Sequence, residues 1–168
     1  MNRRLAWTVL PVVNVALVML VLATPAAVAA NTTVRFELDG TQITANPSTG
    51  AKIATTGAGS FDPSAGTVVA SGLFAEFNPN GSVAARGRWV ATGFVSFMLF
   101  GVPGPGTHGG TLQITITLFV QGGAPQTDVP MTVNCLIDAP SGFSGAEGDT
   151  IGDFTDSVRG HTLFQLNQ

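Results

Sequence analysis

Thr111-Leu112-Gln113-Ile114-Thr115-Ile116-Thr117-Leu118-Phe119-Val120-Gln121 alternates without a break. Leu112, Ile114, Ile116, Leu118 and Val120 fall on one side; Thr111, Gln113, Thr115 and Thr117 fall on the other. Successive side chains of a strand point to opposite faces, and β-branched residues suit a pleated surface. The stretch therefore predicts a strand with one face in a core and one face in water. Val129 to Ile137 repeats the pattern, with Val129, Met131, Val133, Cys135 and Ile137 on one face. Val34, Phe36 and Leu38 do the same against Arg35 and Glu37.

From these strands the reading extends along the chain. After Asn31 no apolar residues recur at three- and four-residue spacing, and glycines interrupt every long run, which excludes helices. Phe61-Asp62-Pro63-Ser64-Ala65-Gly66 resembles Phe77-Asn78-Pro79-Asn80-Gly81, each setting an Asx-Pro pair and a glycine between β-rich runs. Proline presets φ for a turn and glycine closes it, so both read as hairpins joining antiparallel neighbours. The triplets Gly59-Ser60-Phe61, Gly72-Leu73-Phe74 and Gly87-Arg88-Trp89 put glycines inside strands, where they mark bends. Strands are predicted near 33–38, 51–61, 67–77, 82–100, 111–121, 128–138, 147–156 and 161–166. The expected fold is a single all-β domain over 31–168, an antiparallel barrel of about eight strands with hairpin connections. A two-sheet β-sandwich is the alternative.

Residues 1–30 read differently. Arg3 and Arg4 precede an apolar run from Leu5 to Ala23, and Ala26-Ala27-Val28-Ala29-Ala30 follows. This is the layout of a signal peptide cleaved after Ala29 or Ala30, placing the domain in a secreted or periplasmic compartment. An uncleaved segment would tie the chain to a membrane, and this is the only membrane association expected.

Removing Arg3 and Arg4 from seven basic residues leaves five against ten acidic ones, a mature charge of about −5. Those five (Arg35, Lys52, Arg86, Arg88 and Arg159) are scattered apart from one close pair, which argues against nucleic acid as a partner. Cys135 is the only cysteine, so no internal disulfide forms; between Val133 and Ile137 on an apolar face it reads as a small hydrophobe. No phosphate-cradling loop, dinucleotide fingerprint or nucleophile elbow occurs, and no cofactor is expected.

Few residues offer chemistry. His161 opens the last strand on its outer or rim side, and Glu147 and Asp153 are the carboxylates that could serve beside it as acid or base. Alternation would put Glu147, Asp149 and Asp153 on one strand face, where carboxylates could take a metal ion, although no histidine spacing supports zinc. Trp89, inward on its strand, Phe97, and His108 in the glycine- and proline-rich loop 101–110 are the candidate ligand contacts. Arg86 and Arg88 share an outer face. Phe94 to Phe100 is apolar on both faces, so its outer side needs cover from within the chain or from a second copy. A monomer is the expectation and a dimer through this stretch the alternative.

The expected function is an exported, non-enzymatic binding module for a small apolar molecule or a protein partner. The alternatives are a small-barrel cyclase or isomerase using His161 with Glu147 or Asp153, and a structural cell-envelope protein.

Overall fold

Three turns of one chemistry organise the first half of the domain. Asp62 Oδ1 accepts hydrogen bonds from the backbone N–H groups of Ser64 (2.8 Å) and Ala65 (3.0 Å), and the Ser64 hydroxyl beside it holds this carboxyl below its usual range. Asn80 Oδ1 takes the N–H of Ser82 at 3.0 Å. Asn46-Pro47-Ser48-Thr49-Gly50 is a third turn of the same kind, with Asn46 Oδ1 accepting from Ser48 and Thr49. A side-chain oxygen that caps the backbone two or three residues on fixes such turns locally. Between them run β1 (Val34–Ala45), β2 (Lys52–Asp62), β3 (Thr67–Phe77) and β4 (Val83–Leu99), in an unbroken antiparallel meander.

The computed structural model of the chain describes residues 33–166; the expected signal peptide lies outside them. Six further strands follow: β5 (Gly106–His108), β6 (Gly110–Val120), β7 (Gln126–Cys135), β8 (Gly148–Ile151), β9 (Asp156–Arg159) and β10 (Thr162–Leu166). The described residues contain no helix. One continuous antiparallel sheet runs in the order β5-β10-β1-β2-β3-β4-β6-β7-β8, with β9 also paired to β1. The alternative of two separate sheets is thereby replaced by a single curled one.

The sheet curls because of a row of residues that crosses four strands. Leu38 pairs with Gly57, Gly57 with Gly72, and Gly72 with Trp89. Directly paired residues share a face, so the inward Trp89 side chain meets two consecutive positions with no side chain. Its indole lies over them and donates from Nε1 to the Thr56 carbonyl at 3.0 Å. A β-carbon on Gly57 or Gly72 would collide with the indole, and on Gly72 also with the Thr56 carbonyl. Trp89 is wholly buried as a result, and the paired strands β2, β3 and β4 bend round it.

Alternation places the rest of the core as the sequence indicates. Leu112, Ile114, Ile116 and Leu118 of β6, with Met131, Val133 and Cys135 of β7, are buried. Ile137 is not; β7 ends at Cys135 and Ile137 is partly exposed beyond it. One end of the interior is filled by phenylalanines, Phe61 standing edge-on to Phe97 at 4.7 Å and to Phe164 at 6.2 Å.

Four expectations need correction. The barrel does not close: among the described residues no backbone ladder joins β8 to β9 or β10. The strand expected over 147–156 is two, because the chain turns at Gly152 (φ +54) and Ile151 bonds back to Phe154. The loop 101–110 is not wholly irregular; Gly106–His108 pairs with β10, His108 opposite Phe164. And β4 does not expose two equally apolar faces. Register shifts between Ala91 and Gly93 and between Phe94 and Ser96 turn Phe94 and Phe97 both against the core. Phe100 is covered from within the chain by Phe143, ring centroids 4.9 Å apart. Of the apolar side chains in this stretch only Val95 and Met98 remain substantially exposed.

The curl makes Gly72 the most demanding glycine of the sheet interior. Gly72→Ala should lower stability by roughly 1–3 kcal/mol or more, the cost of overpacking a filled core. Gly104→Ala, where a β-carbon meets nothing within 4 Å, should leave the urea midpoint unchanged. Equal midpoints for both variants would show that the indole does not rest on that backbone.

Candidate functional site

Three regions carry the polar and charged groups capable of chemistry: the seam where the sheet ends meet, the exposed rim, and a groove on the outer face of β2, β3, β4 and β6.

At the seam, side chains do the work of a missing ladder. Gly148 of β8 and Gly160, between β9 and β10, approach so closely that a β-carbon on Gly160 would collide with the Gly148 backbone. Opposite this point β1 shifts register between Leu38 and Gln42. The buried Gln42 amide fills the gap like a backbone unit, donating from Nε2 to the His161 carbonyl and accepting the His161 N–H at Oε1, both at 2.9 Å. Glu147 ties β7 to β10: Oε2 accepts the Leu136 N–H at 2.6 Å and Oε1 the Thr162 N–H at 2.8 Å. Both carboxylate oxygens are thus committed to backbone donors.

Asp149 faces inward from β8 and is 1 % exposed. It accepts the Thr55 hydroxyl at 2.5 Å and the Thr44 hydroxyl at 3.3 Å, and the Thr44 hydroxyl also reaches the Asp149 carbonyl at 2.7 Å. Burial raises its pKa from the ordinary 3.8 to about 6, against the two hydroxyl hydrogen bonds that favour the ionised form. It is a locking group between β8 and the β1–β2 pair.

The sequence candidates do not converge. His161 turns its imidazole outward, Nδ1 lying 3.2 Å from Asp39 Oδ2, with both side chains more than half exposed. Glu147 bonds the N–H of Thr162, next along the chain, but its carboxylate is held by backbone. Asp153 is exposed in the turn after β8. Glu147, Asp149 and Asp153 therefore do not share a face, the turn at Gly152 having broken the alternation that would align them. Among the described residues no group of three or more His, Cys, Asp or Glu side chains is placed to hold a metal ion. His108 Nε2 donates to the Gly104 carbonyl at 2.7 Å, Trp89 and Phe97 belong to the packed interior, and burial pushes the Cys135 thiol pKa up.

The groove lies on the opposite side of the sheet from Trp89. Its volume is about 640 Å3, within the range of roughly 300–1,000 Å3 typical of small-molecule sites. Ala54 and Ala75, paired across β2 and β3, are short enough to leave its floor low. Leu73 of β3 (64 % exposed), Arg88 of β4 and Phe119 of β6 stand side by side as one wall. The Arg88 guanidinium lies 4.4 Å over the Phe119 ring, and Arg86 donates from Nε to Gln121 Oε1 at 2.8 Å. Sequence reasoning put both arginines on an outer face but missed the groove. The available signal was Phe119, the one large apolar residue in the outward register of its strand.

Comparison with family models, curated proteins and solved structures yields no match.

Asp149 sets a pH dependence whose sign is fixed. Its folded pKa lies above the unfolded one, so its contribution is greatest below about pH 4 and is lost as pH rises through about 6. The loss is on the order of 3 kcal/mol. Urea unfolding should show the wild type less stable at pH 8 than at pH 5, and Asp149→Asn should flatten that difference. A wild type equally stable at both values would place the carboxylate in water.

Proposed function

We propose that this chain is an exported, non-catalytic binding domain whose ligand sits on the outside of the half-barrel. One observation carries the reading. The middle and one end of the interior are occupied by Trp89 and the phenylalanine cluster, and the cleft at the other end is rimmed by polar and acidic side chains such as Asn46, Glu76, Asp128 and Asp153. An apolar groove of ligand size, by contrast, lies open on the outer face. Exposed apolar surface combined with a few placed polar groups is the usual make-up of a binding site. Export rests on the signal-like residues 1–30. The non-catalytic part rests on the dispersal of His161, Glu147 and Asp153, since acid–base chemistry needs groups that converge on one reacting atom.

A second reading, assembly of copies in the cell envelope, draws on a different feature. β3 and β4 pair only from Ser71↔Val90 to Phe77↔Val83, leaving Val69, Val95 and Met98 exposed beside the parted strands. The two register shifts in this half of β4 weigh against it, because bulges blunt an edge to further pairing.

A neutral apolar dye such as Nile red tests the first reading. The mature chain should bind it with a rise in dye fluorescence, and Leu73→Ser with Phe119→Ser should reduce the affinity at least tenfold while leaving the fold intact. Undiminished binding by that double variant would move the site elsewhere and defeat the reading.

A further inference from the structure

Two of the five basic residues of the acidic mature chain stand at one groove. No acidic side chain lines that groove, and neither arginine forms an ion pair among the described residues. Both guanidiniums are nonetheless held, Arg86 by the Gln121 amide and Arg88 by the Phe119 ring. A neutral amide and an aromatic face orient a guanidinium without neutralising it. Arginines kept charged, oriented and free of carboxylates are suited to an anionic head group, which they can grip through paired N–H donors. The surface between and beside them is apolar: Leu73, Phe119 and the alanine floor of Ala54 and Ala75.

We infer that the groove takes a free single-chain amphiphile with an anionic head, the head lying between Arg86 and Arg88 and the tail along Leu73 and Phe119. The inference rests on the outer-face reading and deepens it by naming the ligand class. Charge complementarity selects this occupant: a neutral apolar molecule would leave both arginines unused, and a cationic amphiphile would be repelled by them.

Competition against bound Nile red, with calorimetry, tests this using decanoate below its micelle concentration. Decanoate should displace the dye with one-to-one stoichiometry. Decanol and decyltrimethylammonium should compete at least tenfold less well, and acetate not measurably. Arg86→Gln with Arg88→Gln should cut decanoate affinity at least tenfold more than it cuts dye affinity, with an unchanged circular dichroism spectrum showing that the variant is folded. Added salt should weaken decanoate but not the dye. Decanoate and decyltrimethylammonium competing equally, or decanoate indifferent to the arginine variant, would overturn the ligand class while leaving the outer-face reading standing. Dye binding indifferent to Leu73→Ser with Phe119→Ser would defeat that reading itself. Preferential binding to anionic phospholipid vesicles, with no uptake of monomeric decanoate, would replace the free ligand by a membrane surface and also overturn the inference.

Discussion

The contact between the Trp89 indole and the glycine pair Gly57–Gly72 governs the shape of this molecule. Sheets of many strands are twisted, but twist alone does not bring the two ends of a sheet together. Here a flat, bulky side chain sits where two neighbouring strands have no side chain, and its N–H is satisfied by the carbonyl of Thr56, next to Gly57 on the farther of the two. The inner face contracts round the indole. On the reverse of the same patch, the short residues Ala54 and Ala75 leave the outer groove. Core packing and candidate site are two sides of one local arrangement.

The curl brings the sheet's ends together without pairing them, and the seam follows. A buried strand end left without partners would cost a desolvation penalty for each N–H and C=O. Glu147, Thr44 and Ser157 meet that demand with side chains bonded to backbone across the seam, and Gln42 fills the gap in the β1 pairing beside it. Glu147, which in sequence resembles a candidate acid or base, is thereby a structural staple. Asp149 is the least comfortable member, a buried carboxylate held by two threonine hydroxyls.

Much of the fold was legible because its determinants are local. Alternation in Thr111–Gln121 needs no knowledge of partners, and the Asx-Pro turns at Asp62 and Asn78 are fixed within a few residues of themselves. The glycines before Phe61, Phe74 and Trp89 announced bending. The unread features depend on register between distant segments. Phe94 and Phe97 share the core side only because β4 bulges between them, and nothing in Phe94-Val95-Ser96-Phe97 marks the bulge. Gln42 resembles any polar strand residue until His161 is opposite it. Gly106–His108 forms a strand because β10 offers an edge, against its own glycine-rich composition. The groove joins Leu73, Arg88 and Phe119 from three strands, and only their pairing makes them neighbours.

Amide hydrogen exchange at Leu136 and Thr162 tests most directly whether the Trp89 curl holds the seam together. Glu147 bonds the Thr162 N–H across the gap with one oxygen and the Leu136 N–H on its own side with the other, so the two together report whether the carboxylate stays seated between the sheet ends. Both should exchange slowly in the native protein. Trp89→Leu, a change in the opposite part of the sheet, should speed both while amides in the β4–β6 ladder stay protected. Rapid exchange of both in the native protein, or slow exchange unaltered by Trp89→Leu, would contradict the dependence of the seam on the indole.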